Sequence, residues 1–499
     1  MAKKIQLSKQ TSLKSEIKAI CDIMRRSNCA GAMQYVPELT WLLFLRILDE
    51  REKHEAETAY VLGNTFIPSL TEPYRWSDWA NKNGAKRSEL VDGKLGAYFE
   101  FVNTNLIPHL KSLRDVPEAS PRQKVISEIL SGVERVRIDT EKNLLDILDK
   151  VDDISDDGTH DTHIFTMSQV YEELLLKMGE KGNDGGQFFT PREIIRAMVR
   201  AIDPKPGESV YDCCCGTGGF LVQAYLYMLE EAVLQGADAI EQLKHNTFFG
   251  REKENLIYPI TLANMVLHGI EKPSIWHGNT LTGNEVFGGL FNDAPGQYDV
   301  VLTNPPFGGK EGKEAQTNFA YKTGATQILF LQHVIDSIKP GGRCGIVLDE
   351  GVLFRTNENA FVQTKRKLLD DCNVYAIISL PGGVFTAAGA GVKTNILLFE
   401  KGKCTERIWY YDLSDIKVGK RTPFTIDKFD DFFRLLLDRA DSERSWNVDR
   451  QTIEDNGFDI KAVNPNRKVE KDNRTTDELI ALIERKQSEI MTALAELKQ

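Results

Sequence analysis

Residues 210–220 read VYDCCCGTGGF, and the order of residue types in that stretch decides the architecture around it. A short run ending in Asp212 gives way to three cysteines, and then Gly216, Thr217, Gly218 and Gly219 open the apolar-periodic GFLVQAYLYMLEEAVL. That is a strand, a glycine turn and the start of a helix. Glycines at the turn permit unusual backbone angles and let a ligand approach the main chain, while Asp212 puts a carboxylate at the strand's end. Taken alone, the turn fits a tight structural bend as well as a nucleotide site.

The same texture extends outward. NTFFGREKE, YDVVLTNPP, RCGIVLDEG and NVYAIISLPGG have the character of strands, and amphipathic segments such as ATQILFLQHVIDSIKPGG lie between them. Strands alternating with helices predict a parallel, doubly wound α/β sheet of Rossmann type, with ligands at the carboxyl ends of its strands.

Upstream the pattern is helical. TWLLFLRILDEREKHEAE carries a dense apolar stripe and EKNLLDILDKVDDI repeats Leu and Ile at helical spacing, after which the turn-rich DDISDDGTHDTH (152–163) is expected to join two domains. Downstream come the strand-like RIWYYDL, the linker-like NPNRKVEKDNR and a final TTDELIALIERKQSEIMTALAELKQ. There Thr475 and Glu478 have capping-box spacing, and Ile483, Ile490 and Leu497 recur every seven residues, with Leu479 and Leu494 beside them. The expected organisation is a helical N-terminal domain (1–165), a catalytic domain (166–430) and a C-terminal extension with a terminal helix (431–499). That helix either packs on its own domain or docks on another subunit.

The 499 residues, 41% hydrophobic and 27% charged, suit a multidomain globular protein. No apolar run reaches the roughly 20 residues of a membrane-spanning helix, and no signal-peptide pattern follows the start, so the expected location is the cytoplasm with no membrane partner. Eight cysteines are too few for a disulfide framework. Cys213, Cys214 and Cys215 are consecutive, and side chains that alternate along a strand do not share a metal, so no metal site is expected. The net charge of −11 repels a polyanion unless basic groups cluster or a partner supplies them.

Two further places carry chemistry. One strand and one helix after the glycine turn, Glu252 in FFGREKEN stands where nucleotide-binding sheets place the acceptor for ribose hydroxyls. The absence of a lysine after the glycines disfavours a phosphate-binding P-loop. The second place is VVLTNPPFGG, where a strand gives way to Asn304, Pro305, Pro306 and Phe307. An exocyclic amine such as adenine N6 is a poor nucleophile, because its lone pair is delocalised into the ring. If the Asn304 side-chain oxygen and the Pro305 carbonyl accept its two hydrogens, the nitrogen is drawn towards tetrahedral geometry and the lone pair is freed. Proline holds those acceptors still, and Phe307 offers a face for the base to stack on. This is activation by preorganised hydrogen bonds.

NPPF following DCCCGTGGF resembles the S-adenosylmethionine-dependent amino-methyltransferases, and GQFFTPREI upstream narrows the resemblance to the modification (M) subunits of type I restriction-modification systems. GVFTAAGAGVKTNILLFEKG and the terminal helix extend it over nearly the whole chain. The resemblance implies a methyltransferase sheet and adenine-N6 methylation of double-stranded DNA, protecting host sites. It implies that Gln187, Phe188, Phe189, Thr190, Pro191 and Arg192 line the methionine end of S-adenosylmethionine. Asp212, Gly216, Thr217, Gly218 and Gly219 would form the cofactor loop, Glu252 would accept the ribose and Asn279 would lie near the cofactor's adenine. Asn304 to Phe307 would be the catalytic tetrad. Cys213 stands where the family usually has proline.

No obvious DNA-reading domain accompanies this core. The family divides the labour: two M subunits join one specificity (S) subunit, and two restriction (R) subunits can be added to that trimer to complete the nuclease. The terminal heptads are then a dock for the S subunit. Two other readings use the same core. A protein glutamine-N5 methyltransferase presents the same amide geometry but usually has tyrosine where this chain has Phe307. A non-catalytic scaffold would retain the fold without needing the intact tetrad.

Overall fold

The computed structural model describes residues 15, 18–29, 31–153, 190–291, 294–385, 393–419, 422–466 and 475–496. The expected linker from 154 to 163, Gln187, Phe188, Phe189 and Leu497 lie outside the described residues, as does the side chain of Leu494.

The N-terminal region is helical. Helix α1 (Ala32–Val61) contains the TWLLFLRILDE stripe, with Trp41, Leu42, Phe44 and Leu45 buried. Helices α2 (Pro121–Leu130) and α3 (Glu141–Asp152) complete much of this core. In α3 the buried Leu144, Ile147, Leu148 and Val151 follow the helical period, and Thr140 caps it by accepting from Asn143 N–H (3.2 Å).

A single mixed sheet organises the rest. Its strands are β1 (Val210–Asp212), β2 (Phe248–Glu252), β3 (Ser274–Asn279), β4 (Asn284–Gly289), β5 (Tyr298–Thr303), β6 (Ile338–Asp349), β7 (Cys372–Ser379), β8 (Thr394–Lys401), β9 (Arg407–Asp412) and β10 (Ser445–Asp449), in spatial order β10-β9-β7-β8-β6-β5-β1-β2-β3-β4. Helix α4 (Arg192–Ile202) precedes β1, and the crossover helices include α5 (Gly219–Gln235), α6 (Tyr258–His268), α7 (Thr326–Ser337) and α8 (Asn359–Asp371). Strands β1, β2, β3, β5 and β6 are parallel, as the alternation of strand and helix requires. The central ones are covered on both faces, hence their continuous apolar runs.

The expected parallel, doubly wound sheet is present in β6-β5-β1-β2-β3, and antiparallel strands extend it. Strand β8 lies antiparallel between β6 and β7, and β4 and β10 are antiparallel to their neighbours. Ser379 ends β7 and Thr394 begins β8, so the chain turns back into the gap beside β6. The sheet also runs past the expected domain boundary at 430, because β10 pairs with β9 from Ser445↔Tyr411 to Asp449↔Arg407.

Helix α6 joins the two regions: α1 and α2 both pack on it. The Arg51 guanidinium donates to the Val266 carbonyl (3.0 Å), and Arg122 bridges Glu55 (2.7 Å) and Glu271 (3.9 Å). At the other end of the chain α9 (Thr476–Glu496) begins with the anticipated capping box. Thr475 N–H donates to Glu478 Oε2 (2.7 Å), and Glu478 N–H donates to Thr475 Oγ1 (3.3 Å). Ile483 and Ile490 on this helix are 64% and 59% exposed, so their stripe is not buried by the rest of the chain.

Candidate active site

The sheet reverses its strand order between β1 and β5, and the ligand crevice of an open α/β sheet forms beyond the carboxyl ends at such a point. A cleft of about 310 Å³ lies there. The ends of β1, β2, β3 and β5 deliver Asp212, Glu252, Asn279 and Asn304 to its wall, together with Thr190, Arg192, Gly216, Thr217, Gly219, Pro306 and Phe307. Pro191, Gly218 and Pro305 are neighbours of these in the chain but are not among the residues lining the cleft.

The glycine loop takes its shape from its neighbours. Gly218 is left-handed (φ 79°), and a Cβ there would lie 3.2 Å from Thr261 Cγ2, so α6 packs where a side chain would stand. Asn264 of α6 donates from Nδ2 to the Thr217 carbonyl (2.8 Å), and the Thr261 hydroxyl donates to the Gly216 carbonyl. Both anchors are buried, and nothing near the loop in sequence announces them.

Glu252 is buried, yet both of its oxygens face donors. Gly216 N–H reaches Oε2 (2.9 Å) and Glu254 N–H reaches Oε1 (2.7 Å), the Lys253 N–H also acts on the carboxylate, and acceptor capacity remains for a diol hydroxyl. Burial pushes its carboxyl up to about 7, against which these N–H groups pull down. Asp212 is buried too and raised to about 7 by the same cause. Its Oδ1 accepts from the Thr303 hydroxyl (2.7 Å) and Cys214 N–H (3.2 Å), so it braces β1 against the residue preceding Asn304. Asn279 Oδ1 accepts from Leu281 N–H (3.0 Å), which turns the chain across the cleft wall.

The geometric reason for excluding a shared role for Cys213 and Cys214 does not hold. Strand β1 ends at Asp212, so the two residues lie in a turn where alternation no longer applies. Both sulfurs reach Thr303 Oγ1, at 3.4 and 3.1 Å, and with Asp212 they form a group whose ligand atoms lie within 4.8 Å of one another. The Thr303 hydroxyl contacts all three.

Asn304 leaves β5 at the mouth of the cleft. Its Nδ2 donates to Thr190 Oγ1 (3.0 Å), whereas its Oδ1 is buried without a hydrogen-bond partner among the described residues. Buried acceptors are rarely left bare, so this one is suited to a donor arriving from outside. Behind it, the buried Gln327 of α7 donates from Nε2 to the Pro305 carbonyl (3.5 Å) and accepts from Asp349 N–H (3.0 Å), tying the tetrad to the end of β6. Phe307 meets Phe385 edge to face, with centroids 5.1 Å apart at 84°. Phe385 belongs to the GVFTAAGAG segment after β7 and, itself buried, packs against the Phe307 ring, a role that its sequence context does not signal.

Residues 162–476 match the N-6 DNA Methylase family and residues 13–151 match the HsdM N-terminal domain. The class is therefore that of the DNA adenine-N6 methyltransferases. The chain is 34% identical to the type I restriction enzyme EcoEI methylase subunit of Escherichia coli, over 96% of this chain and 95% of that one. It is 30% identical to the EcoKI methylase subunit of Escherichia coli K12, over 87% of this chain and 79% of the relative. A chain solved in work on complex assembly and conformational transition of the type I R-M system superposes with a TM-score of 0.75 at 37% identity, covering 98% of this chain and 97% of that one. The protein belongs to the family of type I restriction enzyme methylase, or modification, subunits. These matches span both regions of the chain and lend nothing to the glutamine-modifying or scaffold readings.

Proposed function

We propose that this chain transfers a methyl group from S-adenosylmethionine to adenine N6 in double-stranded DNA, as the modification subunit of a type I restriction-modification assembly. The observation that carries the reading is the buried, unpartnered Oδ1 of Asn304, set in the same cleft as Glu252 and the glycine loop. When bound, S-adenosylmethionine supplies a methyl group made electrophilic by its sulfonium. The chain's residues suit such a ligand: Glu252 lines the cleft with acceptor capacity left for a ribose hydroxyl, the loop from Gly216 to Gly219 admits close approach, and Asn279 and Arg192 line the same cleft.

The substrate base must leave the duplex stack to reach Asn304, at a cost of roughly a few kcal/mol. Phe307 offsets part of that by offering the extruded base a face to stack on, its own ring held in place by the edge-to-face contact with Phe385. Asn304 Oδ1 and the Pro305 carbonyl accept the two amine hydrogens and free the nitrogen lone pair towards the methyl carbon, with no strong base required.

The assembly follows from charge. A chain of net charge −11 is helped in duplex binding by a partner that supplies basic groups. An S subunit would read the sequence in a complex of two M subunits with one S subunit, to which two R subunits add, in the cytoplasm. No helix among the described residues is long and apolar enough to cross a membrane. Labelled methyl transfer by the chain with its S subunit, assayed on unmodified duplex DNA and on a peptide release factor, tests the reading: label on DNA adenine supports it, and label confined to protein glutamine contradicts it.

A further inference from the structure

Thr190 borders the cleft at the end of the segment expected to line the methionine part of the cofactor. Its hydroxyl has a partner of another kind. Asn304 Nδ2 donates to Thr190 Oγ1 at 3.0 Å, across 114 residues of chain, while the opposite end of the same amide is the buried, unpartnered Oδ1. A primary amide carries donors on nitrogen and lone pairs on oxygen, so turning it over exchanges an acceptor for a donor at one point in space.

We infer that Thr190 is a positioning residue for methyl transfer, accepting from Nδ2 and so holding the Asn304 amide with its oxygen towards the substrate amine. The inference rests on the methyl-transfer reading above and gives a residue of the cofactor-lining segment a second task. With the amide turned over, Nδ2 would face the amine's own N–H groups, donor against donor, and the clamp would fail. A hydroxyl both donates and accepts, so Thr190 does not forbid the turned amide in the free protein. What it provides is a partner for Nδ2 once Oδ1 is taken by substrate, where otherwise a buried donor would be left bare.

The hydroxyl is firmly placed. Thr190 stands two residues before α4, whose Ile194, Ile195 and Met198 are buried in the core and whose first turn closes on the Pro191 carbonyl through Ile194 N–H (3.0 Å). During the reaction the substrate nitrogen uses its lone pair to form the N–C bond as the C–S electron pair passes to sulfur, and it later gives up one proton to water. As positive charge grows on that nitrogen, its N–H groups bind Oδ1 more strongly, the amide polarises, and Nδ2 becomes a better donor to Thr190. Bonds in such a chain reinforce one another, so the effect is larger in the transition state than in the ground state and belongs in kcat.

The test uses the assembled complex with its S subunit and unmodified genomic DNA as acceptor. Thr190→Val removes the hydroxyl at nearly constant volume, and Thr190→Ser keeps it. The valine variant is expected to lower kcat about tenfold, the equivalent of one hydrogen bond. The rate is read at saturating cofactor, any change in the cofactor dissociation constant, read by calorimetry, is smaller than the loss of kcat, and the serine variant recovers most of the rate. An unchanged kcat in the valine variant overturns the inference while leaving the proposed activity intact. So does a loss of cofactor affinity equal to the loss of rate, or a serine variant no better than valine. A wild-type complex that labels no DNA overturns the underlying reading and the inference with it.

Discussion

The backbone N–H of Gly216 donates to Glu252 Oε2 at 2.9 Å, so the glycine loop after β1 and the acid at the end of β2 form one unit. The loop orients the carboxylate, and the carboxylate in turn holds the loop open to a ligand. Glu252→Gln replaces one acceptor oxygen by a donor facing the Gly216 or Glu254 N–H. Cofactor affinity is expected to fall roughly 10- to 100-fold, the range for a hydrogen bond to a charged group, as read by calorimetry.

The same carboxyl gives a pH signature with two opposite signs. Burial lifts Glu252 to about 7 from an ordinary value of 4.5. Between those values the folded chain holds a proton that the unfolded chain releases, so this group's contribution to stability is full below 4.5 and is lost as the pH rises through about 7. Cofactor binding runs the other way, because the ribose requires the ionised form, so affinity should weaken as the pH falls from about 8 to about 6. Calorimetric titrations across that range check it, and Glu252→Gln should flatten the dependence.

Phe385 is expected to act on the DNA side alone. Phe385→Leu keeps most of the apolar bulk but removes the edge-to-face contact with Phe307, so the KM for DNA should rise about three- to tenfold, the worth of one aromatic pair. Cofactor affinity should not change. Steady-state methylation with varied DNA concentration, beside a cofactor titration, separates the two.

The terminal helix exposes Ile483 and Ile490 seven residues apart, a stripe that its own domain leaves to solvent. Deleting residues 475–499 should abolish or sharply weaken co-purification with the S subunit while leaving the thermal unfolding midpoint of the catalytic domain in place. Undiminished assembly by the truncated chain would rule this dock out.

How much of this is legible in the sequence follows from where the information sits. The placement of Asn304, Pro306 and Phe307 at the cleft is readable because they follow a strand's carboxyl end, and that of Glu252 because its distance from the glycine loop matches one strand and one helix. Phe385, Gln327, Thr261 and Asn264 are not readable as supports of the site, since each braces a cleft loop from an element remote in sequence and looks like ordinary core where it stands. Strand β8 escapes because strand–helix alternation has no place for an antiparallel insertion. Cys213 and Cys214 mislead because strand alternation does not extend past Asp212, where the strand stops. The position of Asp212 suggests a cofactor contact. Its Oδ1 is engaged by Thr303 and Cys214, which only the fold reveals.

Asn304→Ala in the assembled complex tests the clamp most directly, by single-turnover methyl transfer to unmodified DNA together with a cofactor titration. Loss of the Oδ1 acceptor should reduce the rate of transfer by roughly 100-fold or more, while the cofactor binds as in the wild type. Transfer at the wild-type rate would show that this amide does not activate the amine, and would contradict the account.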